Sequence, residues 1–279
     1  MGIIIGYNSI YCYNREDVMP ELPDVEVFRR YINEHALKQK ISDVTVNNTD
    51  ILKNTSVSNM KKALKGKVFS RTSRRGKYCF LETNGEDTVV LHFGMTGNIQ
   101  YHENGTPPDD HERVRFHFEN GNILSFINVR LLGEVRLIKD KDNFVTSKQI
   151  GSDALQLSYN QFRQLLQQHS SMVKTTLMNQ NLLSGIGNVY ADEILYQSRI
   201  HPKKSVKNLT ESQVKKLYTM MKKVTETAIK KNVNTGKFPD SYIIPRREEG
   251  EKCPSCGGTL EKIKVSGRPT YFCPKCQKE

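Results

Sequence analysis

The sequence predicts an α+β chain in three parts: a β-rich domain opened by a helix, a helical domain, and a small metal ribbon at the C-terminal end. Three observations predict it. Short β-branched and aromatic runs with Asn-Gly punctuation fill residues 68–138, the hydrophobic period turns helical after about residue 150, and four of the six cysteines stand in two C-x-x-C pairs near the end.

The opening helix is predicted from Glu21 onward, with Val25, Phe28 and Ile32 on one face and Glu26, Arg29, Arg30 and Glu34 mostly off it. Pro23 suits a first helical turn and Asp24 complements the dipole there. Six strands are predicted at Val68–Thr72, Tyr78–Glu82, Val89–Phe93, Val114–Phe118, Ile123–Ile127 and Glu134–Ile138. Asn84-Gly85 and Asn120-Gly121 read as hairpin turns, and strands so closely spaced suggest a sandwich or barrel-like sheet pair. In the helical part, Ser158-x-x-Gln161 and Thr210-x-x-Gln213 are capping boxes. They precede apolar stripes (Phe162, Leu165 and Leu166; Val214, Leu217, Met221, Val224 and Ala228) that read as core. Between them, residues 181–190 form a glycine-punctuated turn opening another helix, and residues 232–250 read as a loop.

Composition bounds the function. The chain has 279 residues, 37% of them hydrophobic, which excludes wholesale disorder. Its longest apolar run, Ile3-Ile4-Ile5, is far short of the roughly 20 residues of a membrane span, and no secretory signal pattern is present. The expectation is a soluble intracellular protein, cytoplasmic or nucleoid-associated. Forty-two Lys and Arg against 30 Asp and Glu give a net charge of +12 and a pI near 9.3. That excess favours anionic partners, nucleic acid first among them.

The most specific motif is Cys253-Pro-Ser-Cys256 with Cys273-Pro-Lys-Cys276. Each pair makes a knuckle aiming two thiolates at one ion, and residues 257–272 fold back as a hairpin to join them. Four thiolates favour a single tetrahedral zinc, with a four-cysteine iron–sulfur centre as competitor. The hairpin also carries Lys262, Lys264, Arg268 and Lys275, which a purely structural clip does not require. Gly185-Ile186-Gly187-Asn188 is either an ordinary turn or a phosphate cradle of free backbone N–H groups, the second reading helped by Lys174 upstream. Arg71-Thr72-Ser73-Arg74-Arg75-Gly76-Lys77 is either a solvated face or a phosphate contact. His92 and Met95 sit in a glycine-loosened loop, where Met95 is either core or a wedge into a base stack.

Together these residues form a resemblance. Met19-Pro20-Glu21-Leu22-Pro23-Asp24-Val25-Glu26 resembles the opening of the formamidopyrimidine-DNA glycosylase / endonuclease VIII family of base-excision repair enzymes. Arg74–Tyr78, the His92/Met95 loop, the Gly185–Tyr190 turn and the cysteine ribbon follow in the family's order, over residues 19–279. The resemblance implies a β-sandwich, a helix–two-turn–helix domain and a zinc ribbon. The expected division is a leader over 1–18 outside the mature enzyme, a catalytic sandwich over 19–148, a DNA-binding helical domain over 149–235, and a loop with zinc finger over 236–279.

It also implies roles. Pro20, freed of Met19, presents a secondary amine that attacks C1′ of a flipped, damaged nucleotide and forms a Schiff base. Glu21 is the acid that protonates the opening sugar or the leaving base, Lys77 serves β-elimination, and Arg268 serves δ-elimination. His92, Met95, His111, Arg130, Lys174 and Asn188 are the expected DNA contacts, and Cys253, Cys256, Cys273 and Cys276 hold one structural zinc. The partner is damaged double-stranded DNA and the enzyme a monomer.

Three places depart from the family pattern. Asp24 stands where a glutamate is usual, Leu132 where the 8-oxoguanine enzymes place a phenylalanine, and Tyr242–Arg247 differs from their lesion-capping region. These touch lesion preference and leave the catalytic set whole. The rival readings are a catalytically silent DNA-binding protein of the same fold and a zinc-ribbon nucleic-acid protein unrelated to repair.

Overall fold

Alternation along residues 112–118 sets one face inward: Glu112, Val114, Phe116 and Phe118 are buried, and the residues between them are half-buried. The computed structural model describes residues 19–278 except 104, 106 and 108. The leader predicted over residues 1–18 lies outside the described residues. The chain divides into two compact units, described residues 19–20, 25–74 and 78–141 lying in the first and 21–24, 75–77 and 142 onward in the second.

The first unit holds α1 (Leu22–His35, from Val25 on), β1 (Ile41–Val46), β2 (Leu52–Lys53), α2 (Val57–Leu64), β3 (Phe69–Arg75, up to Arg74), β4 (Tyr78–Thr83), β5 (Thr88–His92), β6 (Gly97–His102), β7 (Glu112–Phe118), β8 (Ile123–Asn128) and β9 (Glu134–Ile138). They form a four-stranded sheet in the order β1-β7-β8-β6 and a five-stranded sheet in the order β2-β9-β5-β4-β3. Ile41, Val44, Phe116 and Phe126 of one sheet share a core with Phe69, Leu81, Val89 and Leu91 of the other, and Val25, Phe28 and Ile32 of α1 join it. Phe93 stacks between Phe28 and Phe126, with ring centroids 4.6 and 5.5 Å away. The two Asn-Gly sites join β4 to β5 and β7 to β8, both antiparallel, with Gly121 at φ +85°.

The second unit holds α3 (Lys141–Ser147, from Asp142 on), β10 (Ser152–Asp153), α4 (Tyr159–Gln167), α5 (Val173–Met178), β11 (Leu183–Ser184), α6 (Asn188–Ser198), α7 (Glu211–Lys230), β12 (Glu261–Val265) and β13 (Arg268–Phe272). Both predicted capping boxes are formed, at Ser158 before α4 and Thr210 before α7. The stripe predicted on α7 is its buried face. β12 and β13 make the ribbon's antiparallel hairpin. No helix among the described residues is long and apolar enough to cross a membrane.

Candidate active site

The glycine turn before α6 does hold an anion, but the anion belongs to the protein. Glu21, 2% exposed, accepts from the N–H groups of Gly187 (2.6 Å), Val189 (2.9 Å) and Tyr190 (3.4 Å). Its carboxylate thus caps α6 from far away in sequence, at the positive end of the helix dipole, where Gly187 supplies no side-chain cap. Only glycine permits the approach: a Cβ at Gly187 falls 2.4 Å from the Glu21 carboxyl carbon. This corrects the phosphate-cradle reading of the turn, whose N–H groups at 187, 189 and 190 are already engaged.

The start of α1 holds Glu21 from the other side. Asp24 reaches back to accept the Glu21 N–H at 2.8 Å, the backbone half of a capping box, so the shorter side chain suffices for that bond. Leu22 N donates to Gly185 O at 3.0 Å. Burial raises the Glu21 carboxyl above its ordinary value, while the Lys77 charge and the α6 N–H groups oppose the rise.

Lys77 follows Gly76 in the tight β3–β4 turn. Gly76 has φ +55° and donates its N–H to Asp153 at 2.7 Å, and a Cβ there would fall 2.7 Å from that of Ser184. Burial lowers the Lys77 amine below its ordinary value; Glu21 and Asp24 pull it back up and Arg268 lowers it further. Glu21, Lys77 and Arg268 therefore share one electrostatic neighbourhood, with Arg268 exposed at the start of β13. A carboxyl shifted toward its acid form and an amine shifted toward its base form are the pair of groups that acid–base chemistry requires. Pro20, covalently next to Glu21, is buried.

Two of the expected DNA contacts in the second unit face inward. Lys174 is fully buried, its ammonium 2.6 Å from Asp192 Oδ1 and donating to Thr270 Oγ1 at 2.7 Å. The phosphate contact expected of it is corrected: the charge is satisfied inside the protein. Asn188, half-buried, donates from Nδ2 to Pro269 O at 3.0 Å.

In the first unit the structure brings three expected contacts onto two abutting loops. His92 ends β5 and its ring lies 4.7 Å from that of Tyr78; Met95 follows in the next turn, half-buried. Arg130 is exposed after β8, its N–H donating to Thr96 Oγ1 at 3.0 Å. Gly94, at φ +61°, lies so close to the second loop that a Cβ would sit 2.4 Å from the Leu132 carbonyl. Val129 and Leu132, 50% and 51% exposed, are the exposed large hydrophobics among the described residues, and they flank Arg130. A cation between two exposed apolar side chains suits a base stack that has lost a member. His111 lies apart on the turn before β7, its Nδ1 3.4 Å from Asp109.

The four ribbon cysteines converge, their sulfurs all within 4.8 Å of one another and paired at 3.8 Å (Cys253–Cys276) and 3.5 Å (Cys256–Cys273). Tetrahedral zinc with Zn–S of about 2.3 Å needs sulfurs about 3.8 Å apart, so the set fits one ion. Tyr196 of α6 reaches the set, its hydroxyl 3.1 Å from Cys253 Sγ and bonded to Ser255 Oγ at 2.8 Å.

Known proteins share this arrangement. Residues 19–135 match the formamidopyrimidine-DNA glycosylase N-terminal domain, 150–239 the H2TH domain of the same enzymes, and 250–278 the zinc finger found in FPG and IleRS. A formamidopyrimidine-DNA glycosylase of Lactococcus lactis subsp. lactis is 32% identical over 94% of this chain and 100% of its own. The chain belongs to the formamidopyrimidine-DNA glycosylase family. A Bacillus cereus member is also 32% identical, over 93% of this chain and 99% of its own. Among solved structures, Lactococcus lactis Fpg in complex with DNA containing an abasic site superposes with a TM-score of 0.83, at 30% identity over 93% of this chain and 100% of that one. The inhibited enzyme from the complex with N7-benzyl-Fapy-dG DNA gives 0.84 at 31% identity, with the same coverage. Within this family frame the ribbon's metal is one structural zinc, and the iron–sulfur alternative falls away.

Sequence reasoning missed Asp192 and Arg247, which surround Lys174 with charge, and Asp153, which holds the Lys77 turn. Asn188, Asp192 and Tyr196 recur every fourth residue on α6, a spacing visible in the sequence.

Proposed function

We propose that the chain is a DNA repair glycosylase and AP lyase that excises oxidised bases from duplex DNA and then cuts the strand by β,δ-elimination. The observation that carries the reading is the Glu21 carboxyl, buried on the N-terminus of α6 with the Lys77 charge acting on it and Arg268 acting in turn on Lys77. Mere DNA binding does not need a desolvated carboxyl beside a desolvated amine. The silent-binder reading is accordingly not favoured.

The chemistry follows from the groups. The Pro20 nitrogen, as a terminal secondary amine, attacks C1′; the C1′–base bond breaks and the base departs with its electron pair. Glu21 supplies the proton to the sugar oxygen or the base as the ring opens to an iminium. Loss of a C2′ proton then expels the 3′ phosphate from C3′, with the Lys77 ammonium serving the departing phosphate. Loss of the C4′ proton expels the 5′ phosphate from C5′, where the Arg268 guanidinium offers a bidentate, permanently charged partner. Water hydrolyses the imine, frees Pro20 and releases the sugar fragment, leaving a one-nucleotide gap. His92, Met95, Arg130 and His111 hold the duplex, with Arg130 entering the space left by the flipped base between Val129 and Leu132. The enzyme acts inside the cell on nucleoid DNA.

Glu21→Gln tests the reading. The amide cannot supply the proton, so base release from a duplex carrying an oxidised base should fall by about 10²–10⁴-fold. Strand cutting at a preformed abasic site should persist. Unchanged base release removes Glu21 from the acid role and, with it, the observation on which the function rests.

A further inference from the structure

Asn188, Asp192 and Tyr196 form one stripe of α6 at helical spacing, and all three touch the ribbon. Asp192, 1% exposed, is the hub. Its Oδ1 lies 2.6 Å from Lys174 Nζ, and its Oδ2 accepts from Arg247 Nη2 (2.7 Å), Arg247 Nε (3.0 Å) and the Tyr271 N–H (3.1 Å). Both cations it holds reach on to the same stretch of β13. Lys174 donates to Thr270 Oγ1 at 2.7 Å and to Pro269 O at 3.4 Å, and Arg247 donates to Pro269 O at 3.5 Å with its guanidinium 4.7 Å over the Tyr271 ring. Asn188 adds a bond to Pro269 O at 3.0 Å. Residues 269–271 are thus held from α5, α6 and the 244–247 segment together, and the next residue back is Arg268.

We propose that Asp192 is a positioning residue for Arg268. By fixing the β13 backbone one residue away, it sets the guanidinium where the 5′ phosphate leaves during δ-elimination. The inference rests on the Arg268 role given above. In that step the C4′ proton is lost to solvent or a nearby base, its electrons extend the conjugated imine, and the C5′–O bond breaks onto the phosphate. The leaving dianion is what a placed guanidinium stabilises. Base release and β-elimination precede it and use Pro20, Glu21 and Lys77. The same helix carries Glu21 on its first N–H groups, so the first acid and the last phosphate clamp are registered to one rigid element.

The test uses Asp192→Asn, the milder Thr270→Val, and Arg268→Ala as reference. The substrate is a duplex with a preformed abasic site, with enzyme in excess and in the form that gives the borohydride-trapped imine. Asp192→Asn should keep one zinc per chain and its trapping yield while the δ:β product ratio falls about tenfold, since a misplacement of about 1 Å costs up to about a hundredfold. Thr270→Val, which loses the bond from Lys174 and the bond that Thr270 Oγ1 donates to Arg268 O at 3.1 Å while keeping the Asp192 ion pairs, should lower the ratio about threefold. If Arg268→Ala lowers the ratio while Asp192→Asn and Thr270→Val leave it at the wild-type value, the Asp192 proposal is overturned. If Arg268→Ala itself leaves the ratio unchanged, the role on which the proposal stands is wrong. Should Asp192→Asn lose zinc or fail to trap, Thr270→Val decides, and a wild-type ratio there overturns the proposal.

Discussion

Glu193, one residue beyond Asp192, shows how burial alone can set a titration. Its Oε2 accepts from the N–H groups of Ile243 and Ile244, both at 2.9 Å, and its Oε1 from Gln197 at 2.8 Å, at 0% exposure. Burial pushes its carboxyl up to about 7, with the Gln197 amide and the two N–H groups opposing. The unfolded carboxyl titrates near ~4.3, so between these values the folded protein keeps a proton that the unfolded chain releases. Stability from this group is therefore fully present below about pH 4 and declines as pH rises through 7, by about 4 kcal/mol at most. Glu193→Gln should flatten the change in melting temperature between pH 5 and pH 8 relative to wild type. An identical pH profile in the variant would show that this carboxyl is ionised throughout. The segment it holds is Tyr242–Arg247, expected from the sequence to differ from the lesion-capping region of the 8-oxoguanine enzymes. Here the segment is a packed strap, tied by Glu193 at one end and by Arg247 to Asp192 at the other.

At the scale of elements, α6 is the part on which the account turns. Its N-terminus is capped by Glu21, and Gly187→Ala forces a Cβ to within 2.4 Å of the Glu21 carboxyl carbon. The variant should lose about 1–3 kcal/mol of stability to overpacking. Displacing the carboxyl should also cut single-turnover base release by about a hundredfold. Base release at the wild-type rate in a folded Gly187→Ala protein would separate the α6 cap from the chemistry. The sequence made α6 and its glycine turn visible, but it could not name the anion, because Glu21 and Gly187 meet only through long-range folding. Other misses have local causes. β1 escaped notice because a register shift between Ile41 and Asp43 breaks its alternation, so burial falls at Ile41 and Val44. α5 has only six residues and no side-chain cap at Met172, and β10 and β11 are two-residue strands paired across distant chain. The strong periodic signals, on α1, α7 and β7 to β9, correspond to the elements that formed.

For the whole molecule, the order of sandwich, helical domain and zinc ribbon was legible from periodicity, Asn-Gly turns and cysteine spacing. The regrouping of residues 21–24 and 75–77 with the second unit was not, since no local pattern reports it. That regrouping is what gathers Glu21, Lys77 and Arg268. The inward turn of Lys174 was equally hidden: its partner Asp192 lies on another helix, and a basic residue near a glycine turn reads as a phosphate contact until the carboxylate is seen. The central claim is that the Pro20 amine is the nucleophile, and borohydride trapping tests it most directly. Protein beginning at Pro20 should form a one-to-one covalent adduct with an abasic duplex, and peptide mass mapping should place the adduct on Pro20. Protein retaining the residues before Pro20 has a tertiary amide there and should form none. No adduct from the Pro20 form, or an adduct mapped to a lysine instead, would contradict the account.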